Sequence, residues 1–184
     1  IYKQMMHFEK KHFRKLLLFV EFLKYYVFEK LLDRRIHAKI FLNPEEMLSL
    51  PRNSIHVPHI VNPEITFKEV RETNFYNILF LGTYNHPPNR VSVKFIVDKL
   101  LPKLVKTKTN FKLNLVGPDT EKFNEQISHS KYHDFITIRG FVDDINNAFE
   151  DMDIALFPIL YGGGIKTKII DAMAAGVPIV TTPQ

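Results

Sequence analysis

Residues 154–182 read IALFPILYGGGIKTKIIDAMAAGVPIVTT. The apolar run 154–157 predicts a buried strand, and the residues after the glycines predict a helix and then a second strand. Three glycines at 162–164 therefore lie where a strand gives way to a helix, where backbone can come close to a ligand. A helix N-terminus offers unpaired N–H groups and a partial positive charge, and Lys166 and Lys168 add cationic donors. The stretch is a plausible phosphate-binding site.

Strand-like and helical patterns alternate along the chain from Asn77 onward. Continuous apolar runs are typical of strands in a parallel sheet that is covered on both faces. The predicted strands are 78–82, 111–116, 135–138, 153–157 and 177–181, and the predicted helices are 90–106, 120–128, 143–150 and 165–175. They specify an α/β fold with an open parallel sheet, in which ligands bind beyond the carboxyl ends of the strands. The Gly82 loop and the three glycines both lie at that edge.

Three of these helices allow predictions about individual side chains. Asp119 or Thr120 is predicted to cap the helix that runs to about residue 128. Two further helices are predicted to turn apolar side chains inward. The buried stripe of helix 90–106 is Val91, Phe95, Ile96, Leu100 and Leu104, and the sheet-facing residues of helix 165–175 are Ile165, Ile169, Ala172 and Met173.

A helix is predicted over residues 5–34, because no Gly or Pro interrupts them and apolar residues repeat at three and four. Its most apolar part, Leu16–Phe28, spans about 20 Å and holds two charged residues, which is too short and too polar for a membrane span. Two interpretations stay open. The helix is either a core helix with apolar contacts on more than one side, or an interfacial helix whose lysines and Arg14 meet anionic headgroups.

Residues 38–75 contain less regular patterns. Short strands are predicted at 38–42 and 55–57, with a brief helix over 44–50 between them. Residues 58–75 carry prolines and mixed charge without a clear period, which is typical of an interdomain linker. The predicted domains are residues 1–72 and 73–184. We also expect the chain to be a fragment at both ends.

Composition and charge exclude several classes of protein. With 45% hydrophobic and 24% charged residues the chain is neither disordered nor a set of membrane spans. It has no cysteine, which excludes disulfides, thiolate metal sites and a cysteine nucleophile and fits a reducing compartment. The whole net charge of +5 lies in residues 1–35, so a basic nucleic-acid-binding surface is not indicated.

Generic nucleotide-binding motifs do not describe the glycine stretch. It is not a P-loop, and Thr167 stands where a dinucleotide fingerprint needs its third glycine. Lys168 and Asp171 lie three residues apart, so an exposed ion pair is the simplest alternative for them. Three consecutive glycines favour a ligand site instead, because each glycine loses conformational entropy on folding and a plain turn does not need three.

Several linked segments resemble the donor-binding half of a GT-B glycosyltransferase of the glycosyl transferases group 1 family. The resemblance covers residues 77–184 in order, and a weaker one to the end of that family's acceptor domain covers 26–46. The matching segments are Ile78–Thr83 with Pro87-Pro88-Asn89, Leu113–Gly117, Gly140–Ile145, and Phe157-Pro158 leading through the glycines to Asp171–Val180.

This resemblance implies two Rossmann-like domains facing a cleft, with a nucleotide-sugar donor held by the C-terminal one. It implies transfer with retention, no essential metal and no other cofactor. Asp171 would contact the donor ribose hydroxyls, and Lys166 and Lys168 would neutralise the diphosphate leaving group. The remaining donor-binding residues would be Gly82, Thr83, Gly162, Gly163 and Gly164.

The chain departs from the family pattern at three positions. Gly163 stands where many members have a glutamate, Thr83 where many have a basic residue, and Asp171 where a glutamate is usual. The phosphate charge therefore falls on the two lysines, with Arg90 a weaker candidate. No histidine pair has a third ligand at clear metal spacing. His86, in the Gly82 loop, is the histidine nearest the predicted cleft.

The sequence thus predicts a glycosyltransferase of glycan biosynthesis, with a glycan, a lipid-linked or a small-molecule acceptor and no nucleic acid partner. We expect it in the cytoplasm, with peripheral contact to the inner face of the membrane if the first helix is interfacial. Two alternatives stay open: a GT-B enzyme that is not a transferase, such as a nucleotide-sugar epimerase, or a non-catalytic nucleotide-binding module. The 184-residue chain is expected to be inactive alone.

Overall fold

The structure is a computed structural model that describes residues 6, 12–33, 35–42, 54–69 and 72–183. The chain divides into two compact units. The first unit consists of residues 1–60 and 161–165, and the second of residues 61–160 and 166–184. The predicted domain boundary at residue 72 stays a prediction.

The first unit contains one long helix and a pair of short strands. Helix α1 runs from His12 to Asp33, within the predicted range. Strand β1 (Lys39–Phe41) pairs in parallel with β2 (Ser54–His56), with Lys39 opposite Ser54. Both strands lie where the sequence predicts them. The helix predicted over 44–50 lies outside the described residues.

Helix α1 carries apolar side chains on two sides. Leu18, Phe22 and Leu32 are partly buried, and the ring of Phe22 stacks on Tyr26 with centroids 6.3 Å apart. The opposite side is apolar too, but exposed to solvent in this chain. Its residues include Phe13, Leu16, Leu17, Val20, Leu23, Val27, Phe28 and Leu31, each at least 40% exposed. A core helix that is covered on both sides is therefore not what the described residues form.

No described helix combines the length and the apolar composition that crossing a membrane requires.

The second unit is built on a five-stranded, fully parallel sheet, which confirms the predicted α/β fold. Its strand order is β5-β4-β3-β6-β7. The strands are β3 (Phe75–Leu81), β4 (Asn110–Val116), β5 (Ile136–Gly140), β6 (Ile154–Phe157) and β7 (Ile179–Thr181). Strand β3 is central. The chain adds β4 and β5 on one side of it, and then β6 and β7 on the other side. The order therefore reverses between β3 and β6, which makes this gap the topological switch point.

Helical segments connect these strands and cover the sheet. They are α2 (Pro87–Phe95), a π-helical turn (Ile96–Leu100), α3 (Leu101–Leu104), 3₁₀ turns at Val105–Thr107, Thr120–Phe123 and His133–Phe135, α4 (Asn124–Ile127), α5 (Ile145–Phe149) and α6 (Thr167–Ala174). The core lies on the three inner strands, where Leu79, Phe80, Leu113, Leu115 and Phe157 have no solvent exposure.

The π-helical turn has an identifiable cause in the sequence. Pro102 lies inside the helical stretch, where it has no N–H to donate and its ring crowds the preceding turn. A π-helical turn immediately before it widens the helix and removes that conflict. The helix therefore continues past Pro102 to Leu104 without breaking.

The buried stripe predicted for this helix is partly wrong. Of the predicted residues Ile96 is fully buried, whereas Val91, Phe95, Leu100 and Leu104 are only partly so. The face that packs on the sheet consists of Asn89, Ser92, Val93, Ile96, Val97 and Leu101. Two of its positions are polar, so apolar periodicity alone selects a neighbouring face.

Two smaller predictions are also wrong. Neither Asp119 nor Thr120 caps its helix, because Asp119 adopts φ 58° and its carboxylate binds the ammonium of Lys122 at 2.6 Å, while Thr120 Oγ1 donates to the Gly117 carbonyl. Met173 is 65% exposed rather than turned to the sheet. Helix α6 begins two residues later than predicted, and its buried contacts are made by Ala172 and the following Ala175.

Residues 61–69 pack along the second unit instead of running through solvent. Asn146 of α5 binds this segment twice, accepting from the Thr66 N–H at 2.8 Å and donating to the Glu64 carbonyl at 3.0 Å. Lys68 donates its N–H to the Ala175 carbonyl at 3.0 Å and its ammonium to the Met152 carbonyl at 2.7 Å. The segment predicted to be a linker is thus attached to the second unit over much of its length.

Candidate functional site

The candidate site lies in the second unit at the carboxyl end of the switch point between β3 and β6. Three chain segments meet there: the loop 82–86 after β3, the first turn of α2, and the first turn of α6. Open parallel sheets bind their ligands in this position because the crossover helices diverge on either side of the gap. Lys166 and Lys168 at the start of α6 and His86 before α2 lie in this region.

Lys168 occupies the centre of this region. Its ammonium donates to the Leu81 carbonyl at 3.2 Å and to Asn89 Oδ1 at 3.1 Å. It also lies 4.9 Å from the ring centroid of Phe80 and 5.0 Å from that of Phe157, the aromatic residues near the ends of β3 and β6. Cation–π attraction strengthens when the cation is desolvated. The exposed ion pair considered as an alternative is therefore wrong: this ammonium points into the unit.

Burial and the neighbouring charge of Lys166 lower the pKa of Lys168 to about 8. Both causes act in the same direction, because removal from water and a second positive charge disfavour the ammonium form. A lysine in this state remains mostly protonated at neutral pH. An anion that approached it would stabilise the ammonium form.

Two further basic groups, Lys166 and His86, lie near Lys168. Lys166 immediately precedes α6 and is partly buried. His86 immediately precedes α2, and burial lowers its pKa. The charges of Lys168, Lys166 and Arg90 lower it further, in that order, against a smaller opposing effect of a hydrogen bond with Asn89. Lys166, Lys168 and His86 thus lie close together at the switch point, with Arg90 near His86.

Arg90 is committed to the loop rather than directed at a ligand. Its guanidinium donates to the Tyr84 carbonyl at 2.9 Å and lies 5.3 Å from the centroid of the Tyr84 ring. That ring packs edge-on against Phe123 with centroids 4.9 Å apart. The arrangement holds the loop against the 3₁₀ turn Thr120–Phe123.

The loop after β3 is shaped around the side chain of Asn89. Asn89 is 7% exposed, and its Nδ2 donates to the Thr83 carbonyl at 2.8 Å. A Cβ on Gly82 would lie 2.6 Å from that nitrogen, closer than real Cβ atoms approach. Thr83 itself turns its hydroxyl to accept from the Asn85 N–H at 3.2 Å. Gly82 is therefore required by the packing of Asn89.

Sequence reasoning missed Asn89 as a site residue. Asn89 was included only as part of the Pro-Pro-Asn segment of the family resemblance. The available signal was its position on a face that also carries Ser92, because two polar residues on the buried side of a helix need partners. Ser92 Oγ finds them in the carbonyls of Pro158, at 2.6 Å, and Pro88, at 2.9 Å.

The remaining predicted donor-binding residues are the three glycines at 162–164 and Asp171. Gly162 and Gly164 adopt φ 122° and 75°, conformations that favour glycine, whereas Gly163 does not have a positive φ. These glycines belong to the first unit. Asp171 lies on α6 in the second unit and is partly buried.

No group of three or more His, Asp or Glu side chains that could hold a metal ion occurs within the residues that the structure describes. A cavity of about 430 Å³ lies where residues 66–68 pack on 146–151. Residues 146–151 immediately precede β6, so the cavity is at the amino end of that strand and does not coincide with the candidate site.

The sequence profile of the family described as glycosyl transferases group 1 matches residues 76–184. Two curated relatives also match. An uncharacterised 44.6 kDa protein in the cps region of Klebsiella pneumoniae is 22% identical over 98% of this chain and 48% of its own length. A phosphatidyl-myo-inositol mannosyltransferase of Mycobacterium leprae is 27% identical over 74% of this chain and 37% of its own. The chain spans about half or less of the length of these relatives.

Solved structures share the fold. WaaG, a glycosyltransferase involved in lipopolysaccharide biosynthesis, aligns with a TM-score of 0.66 and 16% identity over 98% of this chain and 54% of its own. A TarM variant of S. aureus, solved with fondaparinux, α-GlcNAc-glycerol and UDP, aligns with a TM-score of 0.65 and 14% identity over 81% of this chain and 30% of its own. The profile match covers more than half of the chain, so this chain belongs to the glycosyl transferases group 1 family.

Proposed function

We propose that the protein containing this chain transfers a sugar from a nucleotide-sugar donor to an acceptor, and that the second unit binds the donor diphosphate. The observation that carries the proposal is the convergence of Lys166, Lys168 and His86 at the switch point. Burial there lowers the pKa of Lys168 to about 8. A diphosphate is the ligand class that both the fold position and the charge favour.

The donor is held, in this proposal, by residues from three segments. Lys166 and Lys168 neutralise the diphosphate, and Asp171 accepts hydrogen bonds from the ribose hydroxyls. Gly82 and Thr83 supply the loop beneath the donor. The glycines at 162–164 precede Lys166 in the chain and supply backbone N–H donors to the phosphates. The last assignment rests on the family resemblance and on the glycine conformations.

Catalysis consists of holding the donor and stabilising the charge that builds on the departing nucleoside diphosphate. The bond from the anomeric carbon to the diphosphate oxygen breaks as the acceptor oxygen forms its own bond to that carbon. Cations close to the departing oxygen stabilise this transition state more than the ground state, because the charge there grows. Retention of anomeric configuration without an essential metal follows the family resemblance.

The names of the related proteins support an acceptor of glycan or lipid-linked type. WaaG is described by its part in lipopolysaccharide biosynthesis, and the M. leprae relative as a phosphatidyl-myo-inositol mannosyltransferase. The UDP in the TarM complex supports a nucleotide-sugar donor. We place the protein in the cytoplasm, where nucleotide sugars are available. Peripheral membrane contact through α1 is the alternative that co-sedimentation with anionic liposomes tests.

Substituting the two lysines tests the assignment. In the intact protein, Lys166→Ala and Lys168→Ala should each reduce nucleoside-diphosphate affinity or turnover by about tenfold to a hundredfold, since a hydrogen bond to a charged group is worth about 1.5–3 kcal/mol. Affinities for UDP, GDP and ADP are measured by thermal shift and calorimetry. Lys94→Ala is the matched control, because Lys94 is an exposed lysine of α2 that pairs with Asp98.

Unchanged affinity and turnover in both lysine variants would overturn the site assignment. Product analysis separates the remaining functions. Release of nucleotide that depends on added acceptor supports transfer, whereas a changed sugar still attached to its nucleotide indicates an epimerase. Nucleotide binding without turnover on any acceptor of an extract indicates a binding module. Transfer that is unaffected by EDTA supports the absence of an essential metal.

A further inference from the structure

Asn89 joins two parts of the candidate site through a single side chain. Its Oδ1 accepts from the Lys168 ammonium at 3.1 Å, and its Nδ2 donates to the Thr83 carbonyl at 2.8 Å. An amide is the side-chain group that can accept at one end and donate at the other. A carboxylate of the same shape keeps the first contact and loses the second, and an apolar isostere loses both.

The surroundings of Asn89 hold this amide in one orientation. The residue is 7% exposed, and Gly82 lies against it so closely that a Cβ there would be 2.8 Å from Asn89 Cγ. The backbone N–H of Asn89 donates to the His86 carbonyl at 3.0 Å, which fixes the start of α2. A buried amide that is held at both ends by hydrogen bonds defines where its partners lie.

The position of the Lys168 ammonium depends on its hydrogen-bond partners, because it ends a flexible four-carbon side chain and its N–H donors have no fixed direction. The carbonyl of Leu81 and the amide of Asn89 are its two polar partners, and the rings of Phe80 and Phe157 close the apolar side. Removing Asn89 Oδ1 leaves a buried ammonium with one polar acceptor among the described residues.

We propose that Asn89 is a positioning residue for donor binding, whose side-chain amide fixes the Lys168 ammonium at the carboxyl edge of the sheet and ties it to the Gly82–Thr83 loop. The identity of the ligand rests on the proposed function, whereas the contacts of Asn89 do not. Asn89 acts through Lys168 and is not itself placed against the donor.

The first test follows the titration of Lys168 in the intact protein without any ligand. The side-chain carbon signal of Lys168 is recorded by NMR on lysine-labelled protein and assigned by its absence in Lys168→Arg. Asn89→Asp should raise the titration midpoint by about one pH unit or more, because a carboxylate stabilises the ammonium. Asn89→Leu should lower it, because an acceptor is lost. Ser92→Ala, on the same buried face, should leave it unchanged.

Shifts of the Lys168 titration midpoint in opposite directions in Asn89→Asp and Asn89→Leu distinguish a positioning role from a purely structural one. Both Asn89 variants lose the bond to the Thr83 carbonyl, so a role confined to the loop would give equal midpoints or shifts of the same sign, and either result overturns the proposal. The other charged groups near this site are Lys166 and Asp171, at the start of α6 and on it, and His86 and Arg90 around the start of α2. None of them is substituted in these variants, although His86 loses its hydrogen bond with Asn89 in Asn89→Leu. If Asn89→Leu does not fold, Asn89→Ala takes its place.

The second test measures affinity for UDP, GDP and ADP in parallel. For whichever nucleotide binds, Asn89→Leu should weaken binding about tenfold, the size of one lost hydrogen bond to a charged group. The same substitution in a Lys168→Ala background should add little, because its effect passes through Lys168. Full additivity overturns the proposal. Wild-type protein that binds none of the three nucleotides contradicts the proposed function, while the titration still decides the role of Asn89.

Discussion

Lys168 shows how one residue acquires chemistry from its surroundings. A lysine on a helix surface stays charged well beyond neutral pH and interacts weakly, whereas burial and the nearby charge of Lys166 make the ammonium form of Lys168 less stable. Because the pKa falls to about 8, the charge that a diphosphate needs is present at neutral pH but is weakly held. Anion binding and protonation of this group are therefore linked.

This linkage predicts a pH dependence of nucleotide affinity. Below pH 8 Lys168 already carries its proton, so its titration should change the nucleotide affinity little. Above its pKa of about 8, binding must first take up a proton, and the affinity should fall by up to about tenfold per pH unit. Isothermal titration from pH 7 to 9.5 measures this slope.

Lys168→Arg is the control for that experiment, because a guanidinium stays charged over the whole range. Its affinity curve should be flat where that of the wild type falls. A wild-type affinity that is constant up to pH 9.5, or a variant with the same slope as the wild type, would contradict the assignment of the titration to Lys168.

At the residue scale, the sequence identified the basic groups but not their environment. The glycine stretch and the family resemblance indicated Lys166 and Lys168 as cations near a helix start. The polar face with Ser92 could have indicated that Asn89 is buried, but its partners could not be predicted, because they are the Thr83 carbonyl and a lysine 79 positions along the chain. Only the strand order brings those groups together.

Among the structural elements, the segment 61–69 depends most visibly on a single glycine. Gly176 has φ 72°, and a Cβ there would lie 2.6 Å from the Lys68 carbonyl oxygen. This oxygen belongs to the backbone, which cannot move aside for the new Cβ as a flexible side chain can. We expect Gly176→Ala to destabilise the second unit by about 2–4 kcal/mol, from left-handed strain together with overpacking. Chemical denaturation measures the change in the free energy of unfolding.

Gly140→Ala is the matched control for this effect. Gly140 has φ 80°, but nothing lies within 4 Å of the position that its Cβ would occupy. Alanine at this position should lower the free energy of unfolding only through its left-handed backbone conformation, by about 1–2 kcal/mol. Equal losses in the two variants would show that the contact with residues 67–68 contributes nothing to stability.

Helix α1 presents an apolar surface whose charge pattern argues against a membrane. Lys24 lies one turn from both Val20 and Phe28, inside the exposed apolar side, and it pairs with Glu21 at 2.8 Å. Interfacial helices keep such charges on the opposite face. We expect the intact protein not to co-sediment with anionic liposomes at low salt. Binding that disappears both at high salt and in Arg14→Glu would instead support the interfacial interpretation.

Element types followed from local patterns, whereas several element details did not. Apolar runs located all five strands of the second unit, because parallel strands covered on both faces contain few polar residues. The inward face of α2 was misassigned because Asn89 and Ser92 occupy it, and the π-helical turn was not anticipated from Pro102. In both cases hydrogen bonding or sterics, not hydrophobicity, decides the geometry.

At the scale of the whole molecule, the chain spans less than half the length of each curated relative. It covers 48% and 37% of the two curated relatives. We expect the isolated 184-residue chain to bind a nucleoside diphosphate without transferring sugar, while the intact protein does both. Thermal shift measures binding and shows that the chain is folded, and a labelled-sugar assay measures transfer. Sugar transfer by the isolated chain would refute this expectation.

The alternation of strands and helices was enough to predict the sheet, and the family resemblance supplied the candidate site residues. Neither placed residues 161–165 with the first sixty residues, as the division of the chain into two compact units does. That grouping depends on contacts distant in sequence, which local patterns do not contain.

The strand order also affects how the protein is made. The central strand β3 is synthesised first among the five, yet its second neighbour β6 ends 76 residues later, from Leu81 to Phe157. At roughly 5–20 residues per second on a ribosome, one apolar edge of β3 waits several seconds for its partner. An unpaired edge of this kind is a template for pairing with other chains. Yield from cells should therefore depend on chaperones and on translation speed through residues 82–157.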